Sequence, residues 1–158
     1  MLSFFTLTKK DILMFKRFMF LRIDSAVHGF DLLIRLYLLK VFFMSGLNKM
    51  QSWQSTLDLF AYEYNVPLIP SEIAAYLGTA GELVLPILLL VGLLTRPTAI
   101  GLFILNAVAA YAYFLTDFYS NLGMIDHIMW GAMIAVYVVY GSSPISLDRF
   151  ISKDVNND

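Results

Sequence analysis

The sequence predicts an all-α integral membrane protein, a bundle of four transmembrane helices with an amphipathic helix at its N-terminus. Hydrophobic residues make up 59% of its 158 residues, charged residues only 15%, and the mean hydropathy is +0.71. A soluble domain of this length is about half apolar and about a quarter charged. The excess apolar surface is therefore expected to face lipid. Long apolar segments joined by short polar connections supply the predicted spans.

Composition also excludes several kinds of chemistry. The net charge of −1 does not favour a nucleic-acid partner, and the chain contains no cysteine. Structural disulfides, thiolate nucleophiles, iron–sulfur clusters and cysteine-based zinc sites are thereby excluded. The two histidines, His28 and His127, are predicted on opposite sides of the membrane. We therefore expect no metal site and no haem, and any redox role needs another cofactor or a partner.

Residues 1–30 form a basic N-terminal segment. Thr8 and Asp11 resemble a helix N-cap and its box partner, and Lys9, Lys10, Lys16 and Arg17 share one side of the predicted helix. The pattern is typical of an amphipathic helix lying on a membrane surface. A basic tail without fixed structure is the open alternative.

The membrane domain is predicted over residues 31–141, followed by a cytoplasmic tail over residues 142–158. The four predicted spans are residues 31–50, 72–94, 98–115 and 122–140. The long connection at 51–71 is expected to contain a short interfacial helix near Thr56–Tyr64, after which Pro67 and Pro70 keep the chain extended. Thr95, Arg96 and Pro97 are predicted to form a tight turn between the second and third spans.

Charged residues mark one face of the first span. Arg35 and Lys49 lie about 40° apart on a helix, with Gly46 on the same stripe, whereas Lys40 points away from it. Such a stripe is expected to face other helices, and glycine allows their backbones to approach closely.

Glu82 is the most informative residue of the second span. It lies near the middle of the apolar segment Tyr76–Pro97, where an ionised carboxylate costs about 2.5–3.5 kcal/mol on insertion scales. Pro86 is expected to kink the helix and to leave the backbone carbonyl of Glu82 without its helical donor. Two interpretations follow: a carboxylate in a functional pocket, or one locked in a structural ion pair with a cation from the first span.

Lysine and arginine predict the orientation. They occur in the N-terminal segment, at Arg96 and in the tail, but not in the 51–71 or 116–121 connections. The positive-inside rule then places both termini and the Arg96 turn in the cytoplasm.

Several motifs resemble the DoxX family. They are S-G-L-N-K-M in the first span, V-P-L-I-P before the second, G-E-L within it, G-L-L-T-R-P after it, and the tail G-S-S-P-I-S-L-D-R-F. The resemblance covers roughly residues 30–150. It implies a four-helix bacterial membrane protein linked to redox functions, whose best-defined relatives are subunits associated with thiosulfate:quinone oxidoreduction. It also implies that the charged positions of the family fall on Arg35, Lys49, Glu82 and Arg96.

The leading hypothesis is a DoxX-like subunit that supports quinone-linked electron transfer. Glu82 and His127 would handle protons, and Arg35, Lys49, Arg96 and Asn106 would bind the substrate, with quinone as the expected cofactor. Asp126 is interpreted as an interfacial residue at a helix N-terminus. Two alternatives stay open: a non-catalytic subunit that docks a protein partner or a second copy, and a small-solute or metal-complex transporter.

Overall fold

The computed structural model describes residues 9–64, 66, 68–117, 119–143 and 145–155. These residues form helices and short connections, and no strand occurs among them. The helices of this described part are α1 (Lys9–Gln51), α2 (Trp53–Tyr62), α3 (Ser71–Val91), α4 (Thr95–Phe114), α5 (Asn121–Tyr140) and α6 (Leu147–Val155). The all-α prediction is thus confirmed for this part of the chain.

The first helix is longer than the sequence pattern suggested. It runs without a break over 43 residues, so the predicted surface helix and the predicted first span form one continuous rod. At 1.5 Å per residue the rod is about 65 Å long. No proline interrupts it. The predicted cap at Thr8 and the side chains of Lys9, Lys16 and Arg17 lie outside the described residues.

Three helices of the described chain are long and apolar enough to cross a membrane. They are α3, α4 and α5, with mean hydropathies of 1.9, 1.5 and 1.6. The second half of α1 carries Asp31, Arg35, Lys40 and Lys49, and is the least apolar of the predicted spans. The chain is therefore a membrane protein with three candidate spanning helices in its described part, and the role of α1 as a fourth remains a prediction.

The bundle is built by sequential packing of α1 on α3, α3 on α4 and α4 on α5. Its main core contains Leu38, Phe42, Leu89, Ala99, Leu102, Ile134 and Tyr137. The predicted interfacial helix is confirmed as α2, which packs Phe60 against Ala74 and Ala75 of α3. Pro70 is extended, with φ −57° and ψ 141°, as predicted; Pro67 lies outside the described residues.

The close approach predicted at Gly46 is also confirmed. A Cβ atom at this position would lie 2.8 Å from Leu83 Cγ and 3.2 Å from Glu82 Cβ. Only a hydrogen atom fits there without a shift of Leu83. The backbone of α1 at Gly46 therefore packs directly against the side chains of Glu82 and Leu83 of α3. Lys40 is exposed, in agreement with its predicted direction away from the stripe.

The turn between α3 and α4 was predicted in the wrong place. Residues 92–94 make the turn, with Gly92 at φ 70° and Leu94 at φ 48°, and α4 begins at Thr95. Arg96 and Pro97 therefore lie in the first helical turn. Proline is tolerated there because the N–H groups of a first turn have no partner within the helix. Residues 147–155 of the predicted tail form α6, and residues 156–158 lie outside the described part.

Candidate functional site: an ion pair beside an apolar cavity

Lys49 of α1 and Glu82 of α3 form an ion pair within the bundle. Lys49 Nζ lies 2.8 Å from Glu82 Oε1 and 2.7 Å from Oε2, so the ammonium binds both carboxylate oxygens. Ser45, one helical turn before Lys49, accepts a hydrogen bond from Nζ at 2.9 Å and donates one to Glu82 Oε1 at 3.3 Å. Glu82 is only 7% exposed. The carboxylate that is costly in an apolar span is thus neutralised by a direct partner.

The same ion pair borders a cavity of about 450 Å³. Most of the lining is apolar and comes from α1, α3 and α4, with the connection after α2 on one side. Lys49, Glu82, Ser45 and His127 bring polar atoms into this apolar lining. A largely apolar pocket with a few convergent polar groups is the usual form of a small-molecule site. The two interpretations of Glu82 are therefore not exclusive, because the residue lines a pocket and forms an ion pair.

His127 enters the cavity from the first half of α5 and is held by Asn106 of α4. Asn106 Nδ2 donates to the backbone oxygen of His127 at 2.9 Å, and its Oδ1 lies 3.0 Å from His127 Nδ1. Trp130, one turn later, packs its ring edge-to-face on the imidazole with centroids 5.0 Å apart. Gly131 gives the Asn106 amide room beside α5, because a Cβ atom there would lie 3.2 Å from Asn106 Nδ2.

The end of α2 and the connection after it cover the cavity. Phe60, Tyr64 and Val66 all line it. Burial raises the pKa of the Tyr64 hydroxyl above its ordinary value, and the negative charges of Glu82 and Glu63 raise it further. The phenol therefore stays protonated beside the ion pair and can donate or accept a hydrogen bond.

Arg35 lies at the other end of the α1–α3 contact, away from the cavity lining. Its Nη1 donates to the backbone oxygen of Leu89 at 2.8 Å, and its Nε lies 3.1 Å from Asp31 Oδ2 on the same helix. The guanidinium also lies 4.9 Å from the ring centroid of Tyr137. With only 2% of the residue exposed, Arg35 ties α1, α3 and α5 together. These contacts are structural in character.

Asp148 closes the same end of the bundle. Its carboxylate accepts hydrogen bonds from Leu94 N at 2.7 Å, Thr95 N at 2.8 Å and Thr95 Oγ1 at 2.7 Å. Partial burial acts to raise the pKa of this carboxyl, but these hydrogen bonds outweigh it and hold the pKa below its ordinary value. The Asp148 carboxylate thus caps the N-terminus of α4, which has no side-chain cap at its own N-cap residue.

A family comparison identifies the architecture. The DoxX family matches residues 30–117 of this chain. The chain belongs to the DoxX family. It is also similar to an uncharacterised protein of Haemophilus influenzae, with 33% identity over 127 residues that cover 77% of this chain and 83% of the relative. No solved structure matches the chain.

The DoxX match contains Arg35, Lys49, Glu82 and Arg96, the charged positions that the resemblance singled out. The fold brings only two of them into the cavity, Lys49 and Glu82. Arg96 is exposed at the Asp148 end and donates from Nη2 to the backbone oxygen of Val139 at 3.3 Å. His127 joins the cavity from beyond the matched residues. Asn106 supports His127 without lining the cavity itself.

Some contacts of this DoxX-family protein went unrecognised in its sequence. Ser45 and Asp31 each lie four residues before a cation on α1, so helical spacing would have indicated both. The tail motif contains Asp148, although nothing local links it to α4. Tyr64 carries no signal in the sequence beyond its aromatic character, because its place over the cavity depends on how the connection folds back.

Proposed function

We propose that this DoxX-family protein binds a quinone in the Glu82 cavity and supports quinone-linked electron transfer as a subunit of a membrane oxidoreductase system. The observation that carries the proposal is the shared cavity: an ion pair on one part of its lining, His127 on another, and apolar side chains between them. Its volume of about 450 Å³ lies within the range of about 300–1,000 Å³ usual for small-molecule sites.

The polar groups suit a ligand that exchanges protons. Reduction of a quinone to a quinol takes up two electrons and two protons, so groups that give and accept protons must lie close to the ring. Glu82 and His127 are assigned this role, and Lys49 would stabilise negative charge on the ring oxygens. Because the chain has no cysteine, the electrons are expected to come from a partner protein.

The exposed part of the lining suits a ligand that arrives from lipid. Leu77 of α3 and Ile104 and Val108 of α4 line the cavity and are 60%, 57% and 40% exposed. Apolar side chains that face both the cavity and the surroundings of the bundle offer a lateral path between α3 and α4. A quinone with an apolar tail would use this path without crossing a polar surface.

We also propose that the second half of α1 is the fourth span. Lys49 is neutralised by Glu82, and Arg35 by Asp31, so both cations face protein rather than lipid. The count of basic residues then places both termini on the cytoplasmic side of a bacterial inner membrane. Cysteines introduced one at a time at exposed Tyr62 and Ile151 test this orientation, because an impermeant thiol reagent should label only Tyr62→Cys in intact cells.

A cavity-filling variant tests quinone binding directly. Ala109→Phe places a ring in the cavity, whereas Ala107→Phe adds the same ring to an exposed position of α4 outside the lining. Titration of the purified protein with a short-chain ubiquinone should show binding by the wild type and by Ala107→Phe. Binding to Ala109→Phe should weaken at least tenfold, because the ring occupies the volume that the quinone needs.

The same quinone titration is repeated with Glu82→Gln. Glu72→Gln, on the exposed start of α3, is its control. We expect Glu82→Gln to alter quinone affinity and Glu72→Gln to leave it unchanged. Absence of quinone binding by the wild type, or equal binding by wild type and Ala109→Phe, would rule the proposal out. In that case a stoichiometric protein partner that copurifies with Glu82→Gln would favour a docking subunit. Solute uptake by reconstituted vesicles would favour a transporter.

A further inference from the structure

The hydrogen bonds of Asn106 determine which of its side-chain atoms faces which group. A backbone carbonyl can only accept, so the atom 2.9 Å from the His127 oxygen must be the amide nitrogen Nδ2. The other amide atom, Oδ1, can only accept, and it lies 3.0 Å from His127 Nδ1. His127 Nδ1 must therefore carry a hydrogen atom. The backbone of α5 fixes this assignment, independently of any ligand.

One nitrogen of a neutral imidazole donates and the other accepts. With Nδ1 fixed as the donor, Nε2 is left as an acceptor. No other residue in the described part of the chain hydrogen-bonds to the His127 ring, and the ring borders the cavity while Asn106 does not. The cavity thus has a hydrogen-bond acceptor at this point of its lining.

Several other polar groups of the cavity lining show the same bias. Lys49 directs its ammonium to the two oxygens of Glu82 and to Ser45, which matches its three N–H donors. Trp130 donates its indole N–H to Tyr37 at 3.3 Å. The carboxylate of Glu82 can only accept when it is ionised. Tyr64 can act either way, so acceptors outnumber available donors among these groups.

We infer that Asn106 is a positioning residue that holds His127 in the Nδ1–H form, and that the cavity therefore selects a ligand presenting a hydroxyl donor. This deepens the proposed function and rests on it: of the two forms of a quinone, the reduced quinol carries hydroxyl donors and the oxidised form only carbonyl acceptors. The resting cavity is complementary to the quinol. Asn106 acts through His127 and does not itself contact the ligand.

The tautomer is measured without any ligand. The wild-type chain, labelled with ¹⁵N-histidine, is studied in detergent at pH 8, above the ordinary histidine pKa of about 6.5. The variant His28→Gln assigns the remaining ring signals to His127, because the chain has only two histidines. We expect Nδ1 to be the protonated nitrogen. Protonation at Nε2 would overturn the inference. Asn106→Leu should allow the proton of neutral His127 to occupy Nε2 as well as Nδ1. Thr98→Val, which removes a buried hydroxyl elsewhere on α4, should leave Nδ1 as the protonated nitrogen.

Ligand selection is measured with ubiquinol-1 and ubiquinone-1 under anaerobic conditions at pH 8. The wild type is expected to bind the quinol about tenfold more tightly, the effect of one well-formed hydrogen bond. Asn106→Leu should reduce this ratio towards one, whereas Thr98→Val should retain it. Equal affinity for both forms, or preference for the quinone, would overturn the inference and leave the proposed function intact. Binding of neither form would reject both.

Discussion

Arg35 and Lys49 of α1 face the same neighbour, α3, yet their surroundings at the two ends of the bundle differ in kind. Arg35 is surrounded by a backbone carbonyl, a carboxylate of its own helix and the ring of Tyr137, and it lies outside the cavity lining. Lys49 meets an acid from another helix, and their ion pair borders the cavity. At the Arg35 end, polar contacts join the helices to one another. At the Lys49 end, the ion pair forms part of the cavity lining.

The difference shows how the partner of a buried charge determines what the charge can do. Arg35 contacts a backbone carbonyl of α3 and a carboxylate of its own helix and does not line the cavity, so its contacts hold the helices together. A carboxylate can gain or lose a proton, and Glu82 lies beside space for a ligand. The proposed proton-handling role therefore falls to Glu82, whereas the contacts of Arg35 are suited to fixing the register of α1 on α3.

The largest expected effect comes from removing the cation at the cavity end. Lys49→Met leaves Glu82 buried without its partner, which should lower the free energy of unfolding by about 3–5 kcal/mol. Arg35→Met should cost less, about 1–3 kcal/mol, because the Leu89 carbonyl keeps the Gly92 N–H as a donor and Asp31 is partly exposed. Thermal unfolding in detergent measures both.

Lys40→Met is the control for this series, since Lys40 is exposed on the same helix. Its melting temperature should match that of the wild type. The double variant Lys49→Met/Glu82→Gln should recover most of the lost stability, because no buried charge is left. A melting temperature for Lys49→Met equal to that of Lys40→Met would show that the ion pair contributes nothing to stability.

A smaller effect is expected at the close approach of α1 and α3. Gly46→Ala places a methyl group 2.8 Å from Leu83 Cγ, and should cost about 1–3 kcal/mol as the side chain of Leu83 moves away. Gly29→Ala in the same helix meets nothing within 4 Å. It should stabilise the protein by about 0.5–1 kcal/mol, because alanine favours the helix. Melting shifts of opposite sign are the expected result; shifts of the same sign would contradict the packing at Gly46.

The smallest effect is expected at the closed end. Asp148→Asn weakens the cap of α4 and should cost about 0.5–2 kcal/mol at neutral pH. Because the folded state holds the pKa of Asp148 below its ordinary value, the stabilisation is present above that value and is lost as the pH falls through the folded pKa.

The pH dependence of the melting temperature distinguishes the stabilising contribution of Asp148 from the contributions of other carboxyl groups. The melting temperature of the wild type should exceed that of Asp148→Asn at neutral pH, and this difference should shrink below about pH 4. Asp126→Asn, which alters an exposed carboxylate at the start of α5, should melt like the wild type across this range. A constant difference between wild type and Asp148→Asn down to pH 3 would contradict the assigned pKa direction.

Helical periodicity was enough to predict the α1 stripe and the contact at Gly46, and the cost of a buried charge was enough to predict that Glu82 needs a partner. These features depend on spacing within one helix or on the cost of one buried charge. The choice of Lys49 over Arg35 as the partner of Glu82 could not be predicted, because it depends on how far α1 slides along α3. The pairing of Asn106 with His127 and the shape of the cavity depend on several helices at once. The predicted surface helix and the predicted first span are continuous in α1, where no proline separates them.

The cap that Asp148 provides also sets an order of events. Asp148 lies 54 residues after Leu94, whose N–H it binds. The ribosome therefore completes α3, the turn and α4 before the carboxylate that caps α4 exists. Until α5 and residue 148 have emerged, the first turn of α4 must find other acceptors for its N–H groups. Closure of this end by Asp148 thus has to follow the synthesis of α4 and α5.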